Sequence, residues 1–285
     1  MLTTKVFQDE SQSLVGLQGF VEVYQEVAAG RMQKVRQAVL KTRQFLDGLA
    51  QIFTEVKLAY VKEVGPPAGG ESKLNKNGQT VAVLLSANAG LYGDIVDRTF
   101  DSFIKYSAQT RAQAVIVGKL GLRLIQQRHP EILYNYFDLS DELVDVDSLR
   151  LIMRYLLQFE RIMVFYGKFS SVLTQNPSMA SISGDNLPEV DLATKPQNLY
   201  LFEPKLGEIL AVFESEILSS IFEQTLHESL LAKFASRLQY LDRSLESIHK
   251  RLKRLSYELK QLRHKNDNRK QLARLSGMGL WETTL

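Results

Sequence analysis

Apolar residues near the far end of the chain recur in steps that alternate between three and four positions. The run consists of Leu231, Phe234, Leu238, Leu241, Leu245, Ile248, Leu252, Leu255, Leu259 and Leu262. This 3.5-residue period is typical of a coiled-coil seam, whose centre we place at Leu238, Leu241, Leu245, Ile248, Leu252 and Leu255. Most residues between these positions are charged or polar, so the apolar face needs a partner helix.

The N-terminal segment supplies such a partner. From Ser13 to about Lys62 the pattern again advances by three and four, through Leu14, Leu17, Val21, Tyr24, Ala28, Arg31, Val35, Ala38, Phe45, Leu49, Ile52 and Val56. Ser11 and Ser13 are suited to cap the start of this helix. The first prolines, in Gly65-Pro66-Pro67, end it.

Between the two helical segments the period changes. Short apolar runs predict strands at 80–86, 114–118, 132–137 and 161–166, and amphipathic runs predict helices at 94–106, 121–128 and 146–159. This alternation indicates a mainly parallel sheet with covered faces. The polar segment 177–196 is interpreted as a loop or strand connection. A last helix is expected from Pro204 to Ser276, where Gly277 and Gly279 would stop it.

The predicted fold class is α/β plus a long coiled coil. The N- and C-terminal helices form an antiparallel two-helix coiled coil, and a Rossmann-like α/β domain is inserted between them. The expected boundaries are 1–64 for the first helix, 65–79 for a linker, 80–198 for the α/β domain, and 199–285 for the last helix and its tip. Beyond Leu262 the seam positions become Asn266 and Arg269. That part of the helix is expected to project alone or to enter a partner.

Composition excludes several kinds of site. The 285 residues contain no cysteine, so disulfides, thiolate metal sites and cysteine nucleophiles are absent. The four histidines lack metal-binding spacing, and we expect no metal and no cofactor. No apolar run approaches the length of a membrane span, and the first residues do not resemble a signal peptide. We therefore expect no direct membrane insertion.

The remaining candidate sites are weak as chemistry. The turn from Ser86 to Gly93 lies between a strand and a helix but lacks the phosphate-binding glycine motifs, so we interpret it as a tight connection. Acidic residues between Asp138 and Asp147 are interpreted as a solvated loop. No catalytic set stands out. Residues 250–274 are strongly basic, which suits either nucleic acid phosphates or an acidic protein surface.

In layout and in five short stretches the chain resembles the gamma subunit, or central stalk, of the F-type rotary ATP synthase. Segment 25–34 (QEVAAGRMQK) is similar to the family's MVAASKMRK, and 85–93 (LSANAGLYG) to its TSDRGLCG turn. Segments 117–121 (VGKLG), 165–169 (FYGKF) and 200–204 (YLFEP) resemble VGRKG, VYNKF and YLYEP. The order and spacing of these stretches carry the resemblance.

The resemblance implies a non-catalytic rotor that transmits torque between a membrane ring and a catalytic head, coupling proton or sodium transport to ATP synthesis or hydrolysis. The implied partners are the alpha and beta subunits of the head, an epsilon-type subunit and the ring subunit c. The implied location is peripheral, on the cytoplasmic face of a bacterial-type membrane. By motif match, Tyr200 and Glu203 would face the ring, and Arg31 and Lys34 would face an acidic lever of the head.

The C-terminal tip departs from the family pattern. Ser256 and Tyr257 fit, but the asparagine, the arginine–glutamine pair and the threonine that follow in the family are replaced. We hypothesise that Arg263, Lys265 and Arg269 contact the head instead. The alternative function is a coiled-coil nucleic-acid-binding or chromosome-associated protein that uses the basic last helix. An enzyme built on the α/β domain is the third possibility, and it lacks a site.

Overall fold

A computed structural model describes residues 2–64, 77–141, 144–183 and 206–282, with side chains for 5–61, 77–141, 144–183 and 207–275. The chain divides into two compact units. The end unit comprises Met1–Val27 and Tyr240–Leu285, and the middle unit comprises Ala28–Gln239. The predicted linker at 65–79 falls largely outside the described residues.

In the part of the chain that the structure describes, two long helices enclose five strands and three shorter helices in sequence. The helices are α1 (Leu2–Val64), α2 (Ile95–Gln109), α3 (Lys119–Arg128), α4 (Val146–Leu156) and α5 (Leu206–Glu282). The strands are β1 (Thr80–Leu85), β2 (Gln113–Val117), β3 (Tyr134–Phe137), β4 (Arg161–Phe169) and β5 (Gln175–Ile182). This arrangement confirms the predicted fold class.

The described residues of the middle unit form a five-stranded sheet in the order β3-β2-β1-β4-β5. Strands β1 to β4 pair in parallel, with Val83 of β1 opposite Val115 and Val164. Strand β5 pairs antiparallel with β4 at the edge, which the sequence reading missed because it treated Pro177 and its polar neighbours as a loop. An edge strand tolerates proline, since one of its sides needs no ladder hydrogen bonds.

The two faces of the sheet bury alternate residues of each strand, which creates three layers. On one face Val83 and Val164 pack with α4 and with Leu218, Phe222 and Leu226 of α5. On the other face Leu84 and Phe165 pack with α2 and α3. The long helix α5 therefore contributes to the core of the α/β domain and is also one of the two helices of the coiled coil.

Within the middle unit, α1 and α5 run antiparallel. Val35 shares an apolar cluster with Leu230 and Phe234, while Phe53 and Tyr60, later in α1, share one with the earlier α5 residues Leu210 and Ile217. Buried Thr42 and His227 face each other between these clusters, with Thr42 Oγ1 3.5 Å from His227 Nδ1.

Within the end unit, every seventh residue of the α5 seam is buried. Leu241, Ile248 and Leu255 are buried, whereas Leu245, Leu252, Leu259 and Leu262 are buried in part, as is Leu238 in the middle unit. From the opposite helix, Glu10 Oε1 accepts a hydrogen bond from Arg251 Nε at 2.8 Å and lies 2.6 Å from its Nη2. This ion pair lies beside the apolar seam.

The buried face of α1 differs from the expected one. A strict seven-residue repeat lies inward or partly inward, made of Phe7, Leu14, Val21, Ala28, Val35, Thr42, Leu49 and Val56. The intervening inward positions are one residue later than expected, so Gln18 and Gln25 lie partly inward while Leu17 and Tyr24 are exposed. The hydrophobic pattern misled here because α1 has apolar side chains on two adjacent faces.

Both predicted helix limits were also wrong. Helix α1 begins at Leu2, and Ser13 lies within it, where its hydroxyl donates to the Asp9 carbonyl at 2.9 Å. Helix α5 continues through Gly277 and Gly279 to Glu282. A glycine lowers helix propensity by only about 1 kcal/mol, so without a proline it need not end a helix.

We expect His227 to make the protein less stable in mild acid. Burial lowers the pKa of His227, so near neutral pH the imidazole is uncharged in both the folded and the unfolded chain. Below the ordinary histidine pKa of about 6.5 the unfolded chain binds the extra proton first, and stability falls with pH. Replacing His227 with Leu should flatten the dependence of the unfolding free energy on pH between about 6.5 and 5. The matched control is His249→Leu at an exposed position, and an equal flattening there would contradict the expectation.

Gly93, at the end of the turn between β1 and α2, should not tolerate a side chain. Its φ is +59°, and a Cβ there would lie 2.8 Å from the Ser236 hydroxyl. Gly93→Ala should therefore lower the free energy of unfolding by about 1–3 kcal/mol. The control is Gly90→Ala, in the same turn with open space around it. Urea titrations of both variants should show a smaller loss of unfolding free energy for Gly90→Ala than for Gly93→Ala.

Candidate functional site

The turn Ser86–Gly93 is held by helix α5 through three side-chain donors. Lys233 Nζ donates to the Ser86 carbonyl. Ser236 Oγ donates to the Tyr92 carbonyl at 2.7 Å, and Arg237 Nη2 donates to the Gly90 carbonyl at 2.7 Å. All three donors lie within little more than one turn of a single helix, so they hold the loop against that helix.

Asp141, in the segment after β3, binds the same turn from another side. Its Oδ2 accepts hydrogen bonds from the backbone amides of Asn88 and Ala89 at 2.7 and 2.9 Å, and from the Tyr92 hydroxyl at 3.3 Å. Its Oδ1 lies 3.8 Å from Lys233 Nζ. The turn therefore lies between a buried carboxylate and a buried ammonium group.

The electrostatics of this cluster follow from burial. Burial lowers the pKa of Lys233, and the nearby carboxylate of Asp141 opposes that shift. Burial, followed by the same carboxylate, raises the pKa of the Tyr92 hydroxyl well above its usual value. The Arg237 guanidinium lies 4.0 Å from the centre of the Tyr92 ring, a cation–π distance.

The polar groups of this turn stabilise its conformation and are not arranged to bind a phosphate or to catalyse a reaction. The amides of Asn88 and Ala89, which a phosphate would need, already donate to Asp141. The Ser86 hydroxyl accepts the Gly121 amide at 2.7 Å. The turn thus uses its polar groups to bind its own chain.

Sequence reasoning missed the residues that hold the turn. Asp141 was grouped with solvated acids but is buried, and Arg237 was counted among the polar residues of the coiled coil but is also buried. The sequence analysis predicted no role for Lys233, although its side chain is buried. The available signal was that Lys233 and Arg237 are four residues apart, beside the apolar seam.

Arg31 and Lys34 lie in different environments. Arg31 is half-buried and lines a cavity of ≈ 530 Å³ together with Asn88, Tyr92, Asp138 and Asp141. Lys34 is exposed. Arg31 is thus associated with the turn of its own chain, whereas Lys34 faces solvent.

An exposed apolar row marks α1 in the end unit. Leu17, Phe20, Tyr24 and Val27 follow one another by three and four residues and are 50%, 69%, 52% and 44% exposed. From residue 11 to residue 27 the only charged side chains are two glutamates, and none is basic. A helix face this apolar is unusual on a surface without a partner.

The basic end of α5, residues 263–275, is exposed throughout. Arg263, Lys265 and Arg269 lie here, with two further basic residues and a single aspartate. These three predicted contact residues are thus accessible to a partner.

The residues predicted to contact the ring lie outside the described part of the chain. These residues are Tyr200 and Glu203. Among the residues described, no His, Asp and Glu side chains are grouped to hold a metal ion. In the same part of the chain, no helix combines the length and hydropathy needed to cross a membrane.

Comparison with known protein families gives a match over nearly the whole chain. A family model described as ATP synthase matches residues 4–266. The ATP synthase gamma chain of Clostridium perfringens is 24% identical over 222 residues, which cover 76% of either chain. That of a Methylobacterium species is 22% identical over 269 residues, covering 89% of this chain and 91% of the relative.

Solved structures share the fold. A chain of the Euglena gracilis mitochondrial ATP synthase, in a structure of its OSCP, F1 and c-ring, has a TM-score of 0.63 and 13% identity, with 97% of this chain and 94% of that one covered. A chain of the central stalk and c-ring structure from Tetrahymena thermophila has a TM-score of 0.55 and 16% identity, covering 79% and 99%.

Proposed function

This chain belongs to the ATP synthase family as one of its gamma chains, and we propose that its end unit turns inside a catalytic head and that its middle unit contacts a membrane ring. It is a central rotor stalk, which transmits torque and couples ion transport to ATP synthesis or hydrolysis. It is not itself catalytic, because catalysis in this enzyme lies in the beta subunits.

The partners we propose are the alpha and beta subunits of the head, an epsilon-type subunit and the ring subunit c. The support comes from relatives that were solved together with F1 and a c-ring. We assign Tyr200 and Glu203 to the ring on their match to the family's YLYEP segment. A peripheral position on the cytoplasmic face of a bacterial-type membrane accords with the bacterial gamma chains that the sequence matches.

For contact with the head we propose two chemically different surfaces of the end unit. The apolar row of α1 is suited to an apolar surface of the head. Because apolar contact is non-directional, the row can slide along such a surface. The basic end of α5, with Arg263, Lys265 and Arg269, is suited to acidic loops. Charge contacts at exposed positions are weak singly, so they can break and re-form during rotation.

Arg31 and Lys34 contribute differently to that contact. Lys34 is exposed and can reach an acidic lever directly. Arg31, half-buried beside the turn, would reach the head only by leaving its present surroundings. We therefore propose that Lys34, more than Arg31, contacts the head.

Nucleic acid binding is not favoured. The basic end that suggested it has no phenylalanine, tyrosine or tryptophan among the described residues 263–275, so it lacks the row of stacking rings typical of proteins that bind single strands. The apolar row and its two glutamates would face a phosphate backbone unfavourably.

A pull-down from membranes solubilised in mild detergent tests the proposed assembly. The tagged chain should recover two related nucleotide-binding subunits, a small ring protein and ATPase activity. The variant Phe20→Glu with Tyr24→Glu should lose most of the head subunits and keep the ring protein, because buried carboxylates are costly. The control Gln12→Glu with Val15→Glu adds the same charge at exposed positions outside the apolar row and should behave as wild type. Recovery of nucleic acid in place of these subunits would refute the assembly.

Charge reversal of the basic end should uncouple the complex. In reconstituted vesicles, changing Arg263, Lys265 and Arg269 to Glu should reduce ATP-driven ion pumping on the order of tenfold at low salt, since the new charges repel acidic loops. Reversal of the exposed Lys105, Arg111 and Lys168 on the α/β domain is the matched control. Unaltered pumping in the first variant would remove these residues from the head contact.

A further inference from the structure

One residue of the turn Ser86–Gly93 has a backbone conformation that its side chain disfavours. In the described part of the chain, Leu91 is the residue other than glycine whose φ is positive, at +66°. A bulky L-residue is rarely found there, because its Cβ crowds the backbone, whereas a glycine adopts this conformation freely. The turn has glycines at positions 90 and 93, yet a leucine occupies the strained position.

Contacts on both sides of Leu91 impose this conformation. The carbonyl of the preceding residue, Gly90, accepts a hydrogen bond from Arg237 Nη2 at 2.7 Å. The carbonyl of the following residue, Tyr92, accepts one from Ser236 Oγ at 2.7 Å. Both donor side chains are buried, as is the Tyr92 ring. A strained residue persists where its surroundings over-determine its conformation, and that condition is met here.

Burial within this chain does not offset the strain. The Leu91 side chain is 46% exposed, and it belongs to none of the apolar clusters formed by the described residues. A single exposed leucine needs no explanation by itself. A strained leucine that gains no burial does need one, since backbone strain of this kind is found mainly at sites that contact a ligand or a partner.

The turn lies beside an exposed cation of α1. Tyr92, the residue after Leu91, packs in one apolar cluster with Val35 of α1. The residue before Val35 is Lys34, whose side chain is exposed. An exposed apolar side chain and an exposed cation are therefore each one residue away from the same buried contact. A partner that carries an acidic group beside an apolar site is complementary to this pair.

Two exposed acidic residues next to the turn already lie near cations. Asp94 Oδ2, directly after the turn, is 3.8 Å from Arg98 Nη1. Asp138 Oδ2 is 3.3 Å from Lys119 Nζ. Each pair has no net charge, so neither pair strongly opposes the approach of an acidic partner.

We propose that Leu91 is a contact residue for the catalytic head, and that its side chain packs into an apolar site on the same loop whose acidic groups face Lys34. The identity of this partner rests on the proposed function, whereas the strain that holds Leu91 at the surface is independent of it. An apolar contact supplies affinity that a single exposed ion pair does not. The fixed backbone also removes part of the entropy cost of ordering the leucine on binding.

Urea unfolding of the isolated full chain tests the strain. At a position with positive φ, alanine is less favourable than glycine, whereas at an ordinary position glycine is the less favourable residue. Leu91→Gly should therefore unfold at a higher urea concentration than Leu91→Ala. The matched control is Leu133, which is 91% exposed and has no positive φ, and the order of its glycine and alanine variants should be reversed. A midpoint for Leu91→Gly equal to or below that of Leu91→Ala would overturn the strained conformation.

Reconstitution with the alpha and beta subunits of the head tests the contact. The measured quantity is the concentration of this chain at half-maximal assembly with these subunits. Leu91→Ala and Leu91→Gly should each raise that concentration on the order of tenfold, because both remove apolar surface from the contact. Leu91→Met should restore most of the affinity, and Leu133→Ala should behave as wild type. An unchanged concentration in both Leu91 variants would remove Leu91 from the head contact.

Combination with Lys34→Ala tests whether the two side chains contact one loop. Residues that share a partner segment are coupled, so the loss of affinity in the double variant should differ from the sum of the two single losses. Additive losses would overturn the assignment to one loop, and loss of the ring protein in place of the head subunits would overturn the assignment to the head. If the wild-type chain assembles with no head subunits, the proposed function fails, while the urea comparison still decides the strain.

Discussion

The structure depends on the burial of one very long helix. Helix α5 has 77 residues, and neither its leucines at the sheet nor its seam residues in the end unit could remain in water. In the middle unit it completes a three-layer domain, where Phe222 and Leu226 close one face of the sheet. In the end unit it relies on a second helix, because Leu241, Ile248 and Leu255 need a cover along their whole length. The other elements are arranged around these two requirements.

The architecture could be predicted because its signals are long and periodic. The α5 seam repeats over ten apolar positions, and the strands β1, β2 and β4 are continuous apolar runs. The errors arose where two signals overlap. In α1 both Leu14 and Leu17 are apolar, and only the partner helix decides that Leu14 lies partly inward. In β5 the proline signal outweighed the strand signal, although an edge position tolerates it.

The polar contacts that hold the turn Ser86–Gly93 could not be predicted, since the turn, Asp141 and the two α5 cations come from three separate segments. Nothing local to Asp141 indicates that its carboxylate will accept two amides of a turn about fifty residues earlier. Lys233 is one of many lysines and arginines on α5, and its burial becomes visible only when the turn lies against it. Periodicity identifies faces, whereas buried polar contacts depend on the exact three-dimensional approach of side chains. The same reason separates Arg31 from Lys34, three residues apart on one helix.

The two helices of the end unit expose chemically different surfaces. Its α1 segment shows Leu17, Phe20 and Tyr24 with two acidic residues nearby, whereas the last part of α5 is basic. If a rotor contacted the head only through charged groups, electrostatic attraction would hold it at a few fixed angles. If it contacted the head only through apolar groups, it would have no preferred angle. A helix pair that carries both can lower friction along the apolar row and define angular positions through the basic end. We therefore propose that the tip, which departs from the family sequence, and the apolar row of α1 both contact the head.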